Sequence, residues 1–162
     1  MRVRDTITKI REFNAAMELP FAGQLGIRAC LAQGPTVDFQ FAVEHLSTFL
    51  AYCGVAEAAA KGTREAARRK VFLYGAIREL FKGDELAALA EQLSEIRERL
   101  GPIVDSIREQ GSLLPAQAQA STLRTIESQL DALSERLERD IPRDAFMRAL
   151  SGSLPAGRFI TS

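Results

Sequence analysis

The sequence predicts a mainly α-helical protein. An N-terminal helix and a β-hairpin pack on a helical bundle, followed by a C-terminal antiparallel, coiled-coil-like helical hairpin. Three observations predict it. Apolar residues in the last third fall at alternating spacings of three and four. The motif Lys61-Gly62-Thr63 returns as Lys82-Gly83-Asp84, each reading as helix stop, glycine and helix start. Finally, 46% of the 162 residues are apolar, enough to build a core.

The first element is an amphipathic helix. Val3, Ile7, Ile10, Phe13 and Met17 recur every three or four residues, with Arg4, Lys9, Arg11 and Glu12 between them. Pro20 is expected to stop it, because the residue before proline is pushed out of α geometry. Pro20, Gly23, Gly26, Gly34 and Pro35 then crowd the stretch from Leu19 to Thr36. Ile27, Ala29 and Leu31 alternate, as do Val37, Phe39, Phe41 and Val43. A turn at Gly34-Pro35 between these runs makes a β-hairpin. The alternative is an irregular loop leading into the next helix.

That helix is expected from about Val43 to Lys61, with Leu46, Phe49, Leu50, Cys53, Ala56 and Ala60 on one stripe. Another runs from Arg64 to about Lys82 around the apolar Val71-Phe72-Leu73-Tyr74, with Ile77, Leu80 and Phe81.

Leu86, Leu89, Leu93, Ile96, Leu100, Ile103 and Ile107 then form an a/d heptad pattern. Leu123, Ile126, Leu130, Leu133 and Leu137 form a second. Gly111-Ser112-Leu113-Leu114-Pro115 breaks the chain between them, so the two helices should lie antiparallel. Each would be roughly 35–40 Å long. The heptad phase continues through Gly101-Pro102, which favours a kinked helix over a broken one. Polar outer faces with Arg97, Glu98, Arg99, Glu127, Glu135 and Arg136 suit a projecting arm. Pro142 opens a short last helix, and a Ser-, Gly- and Pro-containing tail carries Leu154, Phe159 and Ile160. The organisation expected is 1–83, 84–141 and 142–162.

Charge and motifs exclude more than they assign. Acidic and basic residues balance at 21 each, so no global field draws the chain to nucleic acid or an anionic membrane. No apolar run approaches the roughly 20 residues of a membrane span. Met1 to Thr6 has no apolar signal region, and Cys30 and Cys53 make no disulfide framework; both point to a reducing cytoplasm. Abundant alanine and arginine in place of lysine point to a bacterial or phage source.

One histidine, His45, stands alone. Zinc and di-iron sites need several His, Cys or Glu side chains converging, and neither Glu-x-x-His nor Cys-x-x-Cys occurs. Cys53 lies on an apolar stripe about two turns, or roughly 12 Å, from His45, too far for a dyad within one helix. It reads as a core residue. No serine elbow or phosphate-binding glycine loop is present. Glu95 and Glu98 lie on the polar face of a heptad helix. No cofactor, metal or catalytic residue is therefore expected.

The segment Phe21-Ala22-Gly23-Gln24-Leu25-Gly26-Ile27 resembles the start of hot-dog thioesterases. The remainder departs from that fold, with no further strands and no acidic catalytic helix in the required place. No function is carried over.

What remains points to a non-enzymatic protein that binds another protein: an adaptor, assembly chaperone or inhibitor. The candidate contacts are the heptad leucines Leu86, Leu93, Leu100, Leu123, Leu130 and Leu137, with the free edge of the hairpin. Self-association as a homodimer would use the same surfaces. Two alternatives stand beside this reading. A small-ligand or sensory protein would use an apolar pocket near Phe39, Phe41, Phe49 and Tyr74. A nucleic-acid regulator would use the basic face of Lys61, Arg64, Arg68, Arg69 and Lys70, which Glu65 dilutes and no aromatic platform interleaves.

Overall fold

The computed structural model describes residues 3–32, 38–63 and 70–140. They form α1 (Val3–Leu31), α2 (Phe39–Lys61), α3 (Val71–Leu80), α4 (Asp84–Gln110), α5 (Leu114–Ala118) and α6 (Ala120–Asp140). The expected short helix at Pro142 and the tail beyond it lie outside the described residues. So does the expected turn at Gly34-Pro35.

The β-hairpin expectation is corrected, since no strand occurs among the described residues. Ile27, Ala29 and Leu31 are the last turns of α1, and Phe39, Phe41 and Val43 the first turn of α2. Alternation over so few residues fits a helix as well as a strand. Burial shows the helical period: Ile27 and Cys30 are covered in α1, and Ala42, Leu46, Phe49, Cys53 and Ala56 in α2. Asp38 caps α2, its carboxylate accepting from the backbone N–H of Gln40 at 2.9 Å and of Phe41 at 3.3 Å.

The expected stop at Pro20 is corrected too, because α1 runs through it to Leu31. A mid-helix proline costs about 3 kcal/mol. Burial of Ala22, Ile27 and Cys30 beyond it offsets that cost. Pro102 likewise sits inside a continuous α4.

The long helices α1, α2, α4 and α6 run up, down, up and down as a four-helix bundle. Helix α1 packs along α2 and α6, and α4 packs along α2. Short α3 packs on α1 and α2 at one end, and α5 turns the chain at the other. The projecting arm is therefore corrected. The α4 and α6 stripes close onto the rest of the bundle, in one core that reaches from Ala16 to Leu137.

Two sides of the bundle are built differently. Helices α1 and α2 meet over small residues. A Cβ on Gly26 would lie 2.6 Å from Leu46 Cδ2 and 3.0 Å from the Leu46 backbone nitrogen. One on Gly23 would lie 3.0 Å from Phe49 Cδ1 on α2 and 2.6 Å from Leu130 Cδ1 on α6. Helices α4 and α6 stand further apart, bridged by long side chains. Arg99 donates to Gln129 at 3.1 Å, and Arg136 pairs with Glu85 at 3.0 Å.

Polar ties fix the remaining seams, among them Arg28 of α1, which pairs with Glu127 and Asp131 of α6 at 3.7 and 3.5 Å. Buried Gln24 on α1 donates to Asp131 on α6 at 2.6 Å. Arg97 on α4 pairs with Glu57 on α2 at 2.8 Å. Arg108 on α4 donates to the Ser47 hydroxyl on α2. Gly62 ends α2 with φ of 72°, and Gly111 ends α4 with φ of 62°, the left-handed caps that favour glycine.

Candidate functional site

Helix α1 is apolar on two opposite faces. The inner face carries Ala16, Leu19, Gly23, Ile27 and Cys30. The outer face carries Val3, Ile7, Ile10, Asn14, Met17 and Phe21, spaced alternately by four and three. Nothing in the described chain covers that outer stripe fully. Val3 and Ile7 are each 46% exposed and Phe21 52%. Ile10 and Met17 are half-buried and Asn14 is exposed. At 1.5 Å per residue the stripe is roughly 27 Å long. Arg4, Arg11 and Glu18 line one of its edges, and Arg11 stacks over the Phe72 ring at 5.3 Å.

At its Phe21 end the stripe meets a concavity of about 330 Å³ between α1 and α2. Phe21, Ala22 and Leu25 form its apolar wall, and Glu18, Glu44, His45, Thr48 and Tyr52 its polar one. Tyr52 donates to Glu18 at 3.0 Å, and the Lys70 ammonium lies 5.0 Å from the Tyr52 ring centre. Burial first, then the bond to Glu18, raises the Tyr52 hydroxyl to a pKa of about 12. His45 is held by its own helix. Its Nδ1 lies 2.9 Å from the Phe41 carbonyl, and the two rings are 4.0 Å apart.

The residues singled out in the sequence fall elsewhere. Leu93, Leu100, Leu123, Leu130 and Leu137 lie in the chain's own core, and Leu86 packs half-buried against it. Phe49 and Tyr74 are core residues, Phe39 is half-buried and Phe41 is exposed, and none of the four lines the concavity. Lys61 is exposed at the end of α2, while Arg64, Arg68 and Arg69 lie outside the described residues.

Both cysteines are fully buried. Burial pushes Cys30 up to about 11 and Cys53 up to about 12, so both stay protonated thiols at neutral pH. Cys53 lies one turn from Glu57, whose Oε1 is buried without a hydrogen-bond partner while Oε2 holds Arg97. Among the described residues no three His, Cys, Asp or Glu side chains converge to hold a metal ion. No described helix is long and apolar enough to cross a membrane.

The sequence reading missed the outer stripe of α1. It ended the helix at Pro20, which separated Phe21 from Met17, and it placed Phe13 among the stripe residues. The signal was present: the four-three spacing runs from Val3 through Asn14 to Phe21 without a break.

No protein-family model matches the chain, and no curated protein or solved structure is similar to it.

Proposed function

We propose that this chain is a non-enzymatic protein-binding module whose contact surface is the outer face of α1. One observation carries the reading. Among the described residues nothing fully covers the heptad-spaced stripe from Val3 to Phe21, although the stripes on α4 and α6 are covered. An apolar helix face of this length and period suits a partner helix. The burial of both thiols supports a non-catalytic role, because a nucleophilic cysteine needs access and a lowered pKa.

The test is affinity purification of the tagged full chain beside its Ile7→Asp variant, followed by cross-linking. Protein bound by the wild type should be absent from the variant. Retention of the same bound protein by Ile7→Asp would remove this face from consideration.

A second reading has its own observation. The α1–α2 concavity joins an apolar wall to two carboxylates, a tyrosine and a histidine, and its volume falls at the small end of ligand pockets. A small organic cation suits that lining. Native mass spectrometry of the freshly purified protein should then show an adduct that Tyr52→Phe and Glu18→Gln weaken; unliganded mass alone would count against it.

A further inference from the structure

We infer that residues 141–152, which follow α6, carry the α1–α6 seam on past Asp140 and close the side of the α1 stripe that holds Val3 and Ile10. This closure needs no protein partner, and it marks the part of the stripe left for one.

The described seam sets the register. Gln24 meets Asp131 and Arg28 meets Glu127, so α6 runs antiparallel to α1, and the residue numbers of each pair total 155. On that register Asp140, the last residue of α6, stands level with Ala15. Burial in α1 begins at the same level. Ala16 is 2% exposed, and none of the described side chains before it is buried. The turns from Val3 to Asn14 thus reach roughly 18 Å beyond the end of α6.

The stretch beside α6 shows which side of the stripe that seam covers. Gln24, Met17, Ile10 and Val3 form one column at seven-residue steps, and Phe21, Asn14 and Ile7 form the next. Where α6 is present, Gln24 is buried and Met17 packs half-buried against the core, while Phe21 remains 52% exposed. An element continuing along the line of α6 therefore covers Ile10 and Val3 and leaves Ile7 and Asn14 open. The other flank of α1 belongs to α3, with Arg11 over Phe72 and Glu12 against Gly75.

Position and composition together name the occupant. Residues 33–37 join α1 to α2 at the far end of α1. Residues 64–69 are Arg64, Glu65, Ala66, Ala67, Arg68 and Arg69, with no large apolar side chain. Residues 141–152 leave α6 at the required level and hold Ile141, Phe146 and Leu150. On the same register Phe146 falls level with Lys9, one residue from Ile10, and Leu150 with Asp5, two residues from Val3. Pro142 does not bar this course, since Pro20 and Pro102 already sit inside unbroken helices of this chain. Covering Ile10 and Val3 with Phe146 and Leu150 takes all four from water. The tether to α6 keeps the segment at high effective concentration beside a face that is already helical.

The test is hydrogen–deuterium exchange of the full chain, followed peptide by peptide. Amides of residues 7–14 should be protected in the wild type. Phe146→Asp or Leu150→Asp should speed their exchange about tenfold or more, while α4 keeps its protection. Unchanged exchange at 7–14 in both variants overturns the closure. Should either variant unfold, a cross-link decides. Ile10→Cys with Phe146→Cys should form a disulfide within one chain on mild oxidation, the native cysteines being buried. Ile10→Cys with Phe159→Cys, out of register, should link about tenfold more slowly. Equal rates, or linking only between chains, overturn the closure as well. Partner binding is read separately, by loss of capture in Ile7→Asp on the open column. Closure and partner binding can therefore fail independently.

Discussion

Helices α4 and α6 and the outer face of α1 carry the same kind of pattern and meet opposite fates. Leu93, Ile96, Leu100 and Ile107 on α4, and Leu123, Ile126 and Leu130 on α6, are all but inaccessible to water. Val3, Ile7 and Phe21 on α1 keep about half their surface. Spacing is therefore silent on where a stripe is buried. What differs is the neighbourhood. Helices α4 and α6 each have an inner helix, α2 and α1 respectively, to close on. The outer face of α1 is met only in part, by α2 at the Phe21 concavity and by the core beside Met17, because its inner face is already engaged.

The largest expected effect tests the closed stripes. Leu93→Asp places an unpaired charge in the α2–α4 seam, at a cost of several kcal/mol, about as much as a marginal domain can lose. Thermal unfolding followed by circular dichroism should show the cooperative transition lost. A near-normal melt would mean that the seam is not closed as described.

Leu130→Ala comes next, at about 2–5 kcal/mol, because Leu130 fills the space against Gly23 and cannot be replaced from within. Urea titration gives the value directly. Gly26→Ala should cost about 1–3 kcal/mol despite the better helix propensity of alanine, since the new methyl group meets Leu46 and its backbone. A stabilised Gly26→Ala would show that α1 and α2 are not in close contact there.

The alkaline limb of stability is a smaller effect. Cys30, Cys53 and Tyr52 have folded pKa values raised to about 11, 12 and 12 from ordinary values of 9.0, 9.0 and 10.0. The unfolded chain therefore loses those protons first and gains stability relative to the fold as pH rises. The denaturation midpoint should be flat with respect to these groups below pH 9 and fall between about pH 9 and 12. Cys53→Ala combined with Cys30→Ala should flatten the first part of that fall.

The smallest effect is expected on the open stripe. Ile7→Asp should change stability by no more than about 0.5 kcal/mol. A loss comparable with Leu93→Asp would mean that the stripe is covered from within the chain after all.

Much of the α-helical content was legible in the sequence. The α4 and α6 heptads, the antiparallel reversal at Gly111, the continuity through Pro102 and the glycine stops at Gly62 and Gly111 follow from local rules. Four things did not. Ile27, Ala29 and Leu31, and Phe39, Phe41 and Val43, looked like hairpin strands, because so short an alternation fits a helix as well. The heptad leucines seemed to face one another in an arm, because periodicity reports a buried face and not its partner; the small residues of α1 and α2 that receive them are far away in sequence. Pro20 looked like a terminus, because its local cost is visible while the distant burial that offsets it is not. The two faces of α1 overlapped in a single reading, because Phe13 and Met17 both lie four residues or fewer from their neighbours on either stripe. The open face became visible only once the inner one was assigned.

The hydrogen bond from Gln24 to Asp131 has a consequence beyond its own strength. Leucine repeats look nearly alike after a shift of one heptad, so α6 sliding along α1 would find a second, almost equally greasy resting place. The polar groups have no such repeat: a slide of one heptad would move Gln24 from Asp131 to Arg124 or Glu138 and take Arg28 away from Glu127 and Asp131. Gln24 and Arg28 together thus turn a sliding fit into an indexed one, and the helix that carries them is the same helix that carries the open stripe.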